Sequence, residues 1–335
     1  MKREFPRFGG GRGLGWGVAR VPISSNGKVG PVTEVKPGLH PRNRHAAGYD
    51  FPALVAASPE LARFVRPSPA GRPTVDFADP AAVLALNRAL LRCYHGIREW
   101  ELPPGSLCPP IPGRLDYLHH LADLLAGKNG VPPRGPEIAI LDLGTGANVV
   151  YPILGVSEYG WRFVGTEVAA ESAAWAERMV AANPALAAAV EVRRVARPEL
   201  ILRGVAKPGE TFAAAMCNPP FHASPAEAAA GTARKVRNLN GGKTPAAAPV
   251  LNFGGRGHEL WCPGGEVAFV RRMVAQSAEQ PELCRWFTTL VSSRESLPAI
   301  EQALRDVRAA EVRIIPVAQG QKKTRIMAWR FGAGR

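Results

Sequence analysis

The chain has 335 residues and a formal net charge of +14, with 46% apolar and 21% charged residues. This balance excludes a wholly disordered chain and predicts one large domain or two smaller ones. The absence of a long apolar run excludes a membrane span. The basic start has no apolar stretch behind it, which argues against a secretory signal and leaves an organellar presequence as the less favoured alternative. The five cysteines are widely spaced without a C-x-x-C pair, which favours a reducing, cytoplasmic compartment.

The positive charge is concentrated in three segments. Residues 1–45, 222–258 and 311–335 carry net charges of +7, +4 and +5, and the rest of the chain is nearly neutral. Basic segments on a neutral body indicate a polyanionic partner, because each Lys or Arg on a phosphate releases a condensed counterion. The alternative is a solubilising surface composition, and we favour nucleic acid.

The first part of the chain divides into an arm and a helical extension. Residues 1–35 are basic, Gly-rich and without periodicity, which predicts a disordered arm. Residues 36–135 have helical patterning in ADPAAVLALNRALLRCYHG and in RLDYLHHLADLLAG, the latter ending at Gly127. On the second helix, four polar residues have a spacing that could hold a metal; they are Asp116, His119, His120 and Asp123. We interpret them as a solvent-facing helix surface and expect no metal.

Residues 136–335 show a different pattern, in which strands and helices alternate. Strands are predicted in EIAILDLG, WRFVGTEV, VEVRRV, TFAAAMCNPPF, RWFTTLVSS, VRIIPVA and TRIMAWRF, and helices in AAESAAWAERMVAANP, GGEVAFVRRMVAQSA and LPAIEQALRDVRA. This alternation predicts an α/β domain with a doubly wound, Rossmann-like sheet of about seven strands. Ligands are expected at the carboxyl ends of the strands.

The first two strands end in residues suited to a nucleoside with an amino group. Gly144 and Gly146 follow Asp142 and allow a tight turn that a ligand can approach closely. A dinucleotide fingerprint would have a third glycine where Val149 stands, and Asp142 would repel a diphosphate. Glu167 ends the second strand, where an acid can bind both hydroxyls of a ribose. Adenosine with a cationic amino-acid moiety describes S-adenosylmethionine; the alternative is a Gly-rich structural turn with a capping acid.

The fourth strand ends in Asn218-Pro219-Pro220-Phe221. The prolines fix the backbone so that carbonyl groups could face a ligand. The Asn218 amide oxygen and a neighbouring backbone carbonyl can accept both hydrogens of an exocyclic amine, while Phe221 stacks on the ring. Two such acceptors favour a pyramidal adenine N6 and aim its lone pair at a methyl carbon, with no general base needed before attack. The alternative is an ordinary turn after a strand.

Together these motifs resemble those of the ribosomal large-subunit methyltransferase F family, a sister of methyltransferase-like protein 16. The similarity extends from about Lys36 to about Phe331. Its signatures are LHPRNRH at 39–45, YDF at 49–51, FADP at 77–80, PIPGR at 110–114, DLGTGAN at 142–148, YGW at 159–161, NPPFH at 218–222, LNFGG at 251–255, and ELWC at 259–262 before GGE at 264–266.

The resemblance implies a class I methyltransferase that transfers a methyl group from S-adenosylmethionine to N6 of the adenine at position 1618 of 23S ribosomal RNA. By the same resemblance Arg114 reaches the methionine carboxylate, and Gly144 and Asn148 line the cofactor. Glu167 binds the ribose, and Asn218 with Phe221 holds the adenine. The expected partner is free 23S RNA or a large-subunit assembly intermediate, and we expect the protein to act as a monomer.

Two groups of basic residues are candidates for RNA binding. His40, Arg42 and Arg44 lie just before the helical region; Arg234, Lys235 and Arg237 lie in the basic loop at about 222–258. The first group could bind RNA phosphates, with Arg also stacking on an unpaired base, or it could be a solvated basic loop. The second group would face phosphates that flank a flipped adenine. Three alternatives stay open, namely N6-adenine methylation of another structured RNA, methylation of DNA adenine or protein glutamine, and a non-catalytic RNA-binding assembly factor.

Overall fold

A computed structural model of the chain describes residues 38–104, 106, 108–231, 257–319 and 322–332. The predicted arm at 1–35 and the predicted RNA-binding residues Arg234, Lys235 and Arg237 lie outside these ranges. Among the described residues, no helix combines the length and the apolar character needed to cross a membrane.

Within the described residues, nine strands form a small hairpin and one seven-stranded sheet. The strands are β1 (Arg66–Pro67), β2 (Pro73–Thr74), β3 (Ala139–Leu143), β4 (Arg162–Glu167), β5 (Val190–Arg194), β6 (Phe212–Cys217), β7 (Cys284–Val291), β8 (Glu311–Gln319) and β9 (Lys322–Arg330). Strands β1 and β2 pair as the hairpin, and the large sheet has the order β5-β4-β3-β6-β7-β9-β8. The first five of these strands are parallel, and β9 is antiparallel to both neighbours. The predicted doubly wound sheet of seven strands is confirmed.

The helices cover both faces of this sheet. They are α1 (Phe51–Ala57), α2 (Pro80–His95), α3 (Ile111–Ala126), α4 (Val150–Tyr159), α5 (Ala170–Ala181), α6 (Pro184–Ala187), α7 (helical residues 225–231), α8 (Gly257–Leu260), α9 (Gly265–Glu279) and α10 (Leu297–Asp306). Asp79 caps α2 by accepting a hydrogen bond from the amide of Ala81, and Gly96 ends that helix in the left-handed conformation. Both predicted helices of the extension are therefore present.

The helical extension shares a hydrophobic core with the sheet. Leu90 of α2 and Leu118 of α3 belong to the same buried cluster as Ile140 of β3 and Ile153 of α4. A second cluster on the other face contains Val270 of α9 with other apolar residues of α9, α10 and the sheet. Because burial of apolar surface is the main stabilising term, the extension and the sheet stabilise each other. The boundary near residue 135 marks a change of secondary structure within continuous packing.

Helix α3 also holds the segment that precedes α1 through a buried polar network. His40 is 7% exposed; its Nε2 bonds the Asp123 carboxylate at 2.8 Å, and its backbone amide donates to Asp116. Asn43 donates to Asp116 as well, and His119 bonds the hydroxyl of Tyr159 at 2.7 Å. Asp116 and His119 are 0% and 2% exposed. The interpretation of this helix face as solvent-facing is therefore wrong for Asp116 and His119, because they are the internal partners of a packed segment; His120 and Asp123 are partly exposed.

This network changes what the first group of predicted RNA-binding residues can do. The His40 ring is enclosed and bonded, so in this structure it is not available to RNA, contrary to the prediction. Arg42 pairs with Asp123 at 2.7 Å and keeps 37% of its side chain exposed. Arg44 pairs with Glu158 and lies over the ring of Tyr94, with its side chain 40% exposed. Contact between RNA and these two arginines stays a prediction.

Replacing Asp123 by alanine is expected to lower the free energy of unfolding by about 1–3 kcal/mol, because it leaves Nε2 of the enclosed His40 ring without its hydrogen-bond partner. Urea unfolding followed by circular dichroism measures the change. Asp306→Ala is the matched control, since that exposed carboxylate on α10 accepts only from the side chain of Gln302. Equal stability of the two variants would contradict a structural role for the network.

Candidate active site

A cavity of about 520 Å³ opens at the carboxyl ends of the central strands. Strand order brings the ends of β3 and β6 side by side, with β4 next to β3, which is the place where doubly wound sheets bind ligands. The cavity is lined by six of the predicted site residues, which are Arg114, Gly144, Gly146, Asn148, Glu167 and Asn218. Its wall does not include Asp142, Pro219 or Phe221. Six of the nine predicted cofactor-binding and catalytic residues thus line one cavity, and the other three lie outside its wall.

The glycine turn after β3 shapes the floor of the cavity. Gly144 and Gly146 have φ angles of +74° and +65°, a region that favours glycine. A Cβ atom at Gly144 would meet no protein atom within 4 Å, so the backbone there faces open space. Thr145 is held by a hydrogen bond from its amide to the carbonyl of Thr166 at 2.9 Å. The turn therefore presents bare backbone to a ligand, as predicted from the spacing.

Glu167 at the end of β4 connects the turn to the next helix. Its carboxylate accepts hydrogen bonds from the amides of Gly146 at 3.1 Å, Val168 at 2.8 Å and Ala169 at 2.9 Å. Glu167 is 4% exposed and lines the cavity. One acid thus fixes the glycine turn and faces the ligand space, so ligand binding at Glu167 is coupled to the shape of the turn.

Asp142 is buried beneath the glycine turn. Its side chain is 1% exposed, and neither carboxyl oxygen has a hydrogen-bond partner among the described residues. Burial raises the pKa of Asp142 to about 7, although the nearby Thr145 hydroxyl and Arg114 guanidinium favour the ionised form. Asp142 can act on a ligand in the cavity through its charge, and direct contact would require its carboxyl group to become accessible.

The raised pKa of Asp142 predicts a pH-dependent stability. A carboxyl group with a pKa near 4 in the unfolded chain and about 7 in the folded protein binds a proton more tightly when folded. Its contribution is fully present below pH 4 and is lost as the pH rises from 4 through 7, by up to about 4 kcal/mol. In Asp142→Asn this loss should disappear, so that thermal melts without ligand show the variant more stable than wild type at pH 8 and nearly equal at pH 4. A wild-type advantage at pH 8 would contradict the assignment.

Helix α3 positions both ends of the cavity. The helix begins at Ile111, so Arg114 lies in its first turn, and Arg114 donates to the hydroxyl of Tyr151 at 3.0 Å. One turn later, the hydroxyl of Tyr117 bonds Thr288 Oγ1 at 2.8 Å and receives the amide of Cys217 at 3.4 Å. The buried Tyr117 therefore fixes the end of β6 next to Asn218, so the helical extension is part of the site.

Asn218 presents an unsatisfied acceptor at the cavity wall. Among the described residues, its amide oxygen has no hydrogen-bond partner although it is buried. A buried acceptor without a partner costs free energy unless a ligand supplies the donor. Phe221 is half-buried close to this point in the chain, and Pro219 is buried. An N–H group on a ligand in the cavity would satisfy the Asn218 oxygen.

Sequence reasoning missed several residues that complete the cavity. Val195 and the stretch 198–201 after β5 form a largely apolar wall. Glu259, Trp261 and Arg272 also line this cavity, and Glu259 Oε1 would lie 3.9 Å from a Cβ atom at Gly146. Only the ELWC signature could have indicated Glu259 and Trp261, because no strand or helix pattern marks their approach to Asn218. Within the described ranges, no group of three or more His, Cys, Asp or Glu residues could hold a metal ion.

These features fit S-adenosylmethionine and define the class of protein. The bare backbone at Gly144, the ribose-binding type of acid at Glu167 and the cation at Arg114 surround one cavity in a doubly wound sheet with an antiparallel final strand. This is the site of a class I S-adenosylmethionine-dependent methyltransferase.

The chain belongs to a family of RNA methyltransferases, whose model matches residues 33–333. It is 54% identical over 297 residues to a protein of Serratia proteamaculans named ribosomal RNA large subunit methyltransferase F, covering 88% of each chain. A protein of the same name from Yersinia pestis is 52% identical over 313 residues, covering 93% of this chain and 92% of the relative.

Solved structures of human METTL16 have the same fold. The METTL16 catalytic domain in complex with the MAT2A 3′UTR hairpin 1 has a TM-score of 0.74 and 30% sequence identity, covering 88% of this chain and 96% of that domain. The N-terminal domain of human METTL16 in complex with SAH has a TM-score of 0.68 and 27% sequence identity, covering 88% of this chain and 99% of that domain. The expected family, fold, enzyme class and cofactor are confirmed.

Proposed function

We propose that the protein transfers a methyl group from S-adenosylmethionine to N6 of the adenine at position 1618 of 23S ribosomal RNA. The observation that carries this proposal is the buried, unpartnered amide oxygen of Asn218 at the wall of the cofactor cavity. An exocyclic amine is a donor of the kind that this oxygen lacks. The names of the relatives, at 52–54% identity, support ribosomal RNA of the large subunit as the substrate.

The cavity residues divide into two groups in this proposal. Arg114 pairs with the carboxylate of the cofactor, while Gly144, Gly146 and Asn148 lie along its amino-acid moiety. Glu167 shares its carboxylate between the backbone amides and the ribose hydroxyls. When bound, S-adenosylmethionine supplies an activated methyl group. Asp142 lies under this group of residues and contributes negative charge once it ionises.

Asn218 and Pro219 act on the acceptor. The amide oxygen of Asn218 and the backbone carbonyl of Pro219 accept the two N6–H groups of adenine. Two acceptors on one nitrogen favour its pyramidal form, which localises the lone pair and aims it into the cavity. Phe221 stacks on the base and keeps N6 at the Asn218 oxygen. The attack gives a cationic N6 that carries the new methyl group and both hydrogens. This nitrogen is strongly acidic and loses one proton to water after methylation, so no buried base is needed.

The RNA is bound outside the cavity by basic segments. We propose that the arm at 1–35 and the extension at 36–135 contact RNA, with Arg42 and Arg44 as partly exposed cations. Arg234, Lys235 and Arg237 would bind phosphates near the flipped adenine. We also propose that the protein acts as a monomer, on ribosomal RNA in the cytoplasm.

A second candidate substrate is another structured RNA. The METTL16 domain with a TM-score of 0.74 was solved on a MAT2A 3′UTR hairpin, so this fold can accept hairpins outside the ribosome. The two candidates differ in the sequence around the adenine and in the dependence on ribosomal structure.

The proposal is tested by methyl transfer from radiolabelled S-adenosylmethionine to a panel of acceptors. The panel contains an unmodified 23S RNA transcript, large-subunit assembly particles, unrelated RNA hairpins, and DNA duplexes. We expect incorporation into 23S RNA or its particles and little into the other acceptors. Preferential labelling of an unrelated hairpin would favour the second candidate, and cofactor binding without transfer to any acceptor would favour a non-catalytic assembly factor.

A further inference from the structure

The segment at residues 260–262 is hydrogen-bonded to His222, the residue directly after Phe221. The backbone amide of His222 donates to the carbonyl of Leu260 at 3.0 Å, and the amide of Cys262 donates to the carbonyl of His222 at 3.0 Å. These bonds form a parallel bridge between His222 and Trp261. The backbone of Trp261 is therefore fixed beside the residue that follows Phe221.

The next residues hold this arrangement in place. Gly265 has a φ angle of +63°, and a Cβ atom there would lie 3.3 Å from the amide nitrogen of Ala223. The close approach means that the start of α9 packs directly on the chain after His222. Trp261 thus lies between two points of contact with the segment at 222–223.

Trp261 lines the cavity that holds the proposed acceptor residue. Asn218 and Pro220 line the same cavity, and Trp261 is half-buried. A large, partly accessible aromatic residue in one cavity with an unpartnered amide oxygen is suited to a flat ligand with an N–H group. The bridge between His222 and Trp261 keeps this residue close in the fold to the chain that follows Phe221.

We propose that Trp261 stacks on the target adenine and that, together with Phe221, it forms the aromatic part of the base pocket. The inference rests on the proposed function, in which the acceptor is a flipped adenine. A base that leaves the RNA stack loses its neighbours, and an aromatic side chain replaces them. Trp261 is a binding residue in this account, and methyl transfer itself is assisted by Asn218.

Strand order distinguishes the target base from the adenine of the cofactor. The ribose acid Glu167 ends β4, and the apolar wall at Val195 and 198–201 follows β5. Strands β4 and β5 lie on one side of β3, whereas β6 and Asn218 lie on the other. The wall near β5 therefore suits the cofactor adenine, and Trp261, next to the end of β6, suits the base of the RNA.

The test compares two RNA fragments that differ only at the target position, one with adenine and one with an abasic site. Their affinities are measured for wild type and for Trp261→Ala, Trp261→Leu and Trp261→Phe, with SAH affinity and circular dichroism as checks on the cofactor site and the fold. Trp175→Ala is the matched control, because that half-buried tryptophan lies on α5 and donates to the carbonyl of Glu101.

Wild type should prefer the adenine fragment, and Trp261→Ala and Trp261→Leu should lose about 5- to 150-fold of that preference, the range for one stacked base. Trp261→Phe should recover most of it, and the affinity for SAH and the abasic fragment should not change. A full preference for adenine in both Trp261→Ala and Trp261→Leu, or weaker SAH binding in place of the lost preference, would overturn the inference. If wild type prefers adenine yet forms no N6-methyladenine, the proposed function fails while the stacking inference stands.

Discussion

Replacing Asn218 by alanine is expected to lower the rate constant of methyl transfer by about 100- to 1,000-fold, the usual loss when one preorganised polar group is removed from an active site. The cofactor dissociation constant should stay nearly unchanged, because the predicted cofactor contacts Arg114 and Glu167 come from α3 and β4. Single-turnover kinetics with saturating RNA measure the rate constant, and calorimetry with SAH measures cofactor affinity.

The same substitution should lower the rate without lowering the stability of the fold. The Asn218 oxygen is buried without a partner among the described residues, so its removal should not lower the free energy of unfolding and can raise it slightly. Gln302→Ala, which removes an exposed side-chain amide on α10, is the matched control and should leave both rate and stability unchanged. Turnover at the wild-type rate in Asn218→Ala would remove the basis for the assigned role.

Replacing Glu167 by alanine is expected to weaken cofactor binding by about 10- to 100-fold, the range for losing hydrogen bonds to a charged group. Because the carboxylate also accepts from the amides of Gly146, Val168 and Ala169, the variant should lose at least about 2 kcal/mol of folding stability as well. Calorimetric titration with SAH measures the affinity, and denaturant unfolding without ligand measures the stability.

Glu167→Gln separates these two effects. Glutamine keeps one oxygen for the backbone amides but replaces the other with a donor, which cannot accept from ribose hydroxyls. We expect the glutamine variant to recover part of the stability and little of the cofactor affinity. Unchanged affinity in Glu167→Ala would show that the ribose is bound elsewhere.

Much of the fold could be predicted because buried parallel strands are short apolar runs with clear ends. Strand β3 ends at the glycine turn, as predicted, and β6 ends at Cys217, four residues earlier than the predicted end at Phe221. Helix α4 was not predicted, because its residues from Val150 to Gly155 are all buried and a helix that is apolar on most sides lacks the amphipathic period.

Long-range packing explains the errors around the extension. Asp116 and His119 have the spacing of a polar helix face, but their partners His40 and Tyr159 are distant in sequence. Nothing in the local pattern shows that the segment at residue 40 will cover that face. The same applies to Trp261, whose position beside Asn218 depends on the bridge to His222.

The backbone conformation of Val149, after the glycine turn, could not be predicted from the sequence motif. Val149 stands at the third glycine position of the dinucleotide fingerprint, and the missing glycine argues against a dinucleotide site. In the structure Val149 has a φ angle of +42°, a conformation that a β-branched residue rarely adopts. The backbone at Val149 therefore has a conformation that usually favours glycine. S-adenosylmethionine as the cofactor is better supported by Glu167, Arg114 and the family than by the missing glycine.

The central claim is that Asn218 directs methylation to a single adenine of 23S RNA. It is tested most directly by incubating unmodified 23S RNA, free and in large-subunit assembly particles, with the protein and labelled S-adenosylmethionine, and then mapping the modified nucleoside by mass spectrometry. We predict N6-methyladenosine at position 1618 alone with wild type, and loss of the product with Asn218→Ala. Methylation at another atom or nucleotide, or an unchanged yield with Asn218→Ala, would contradict the account.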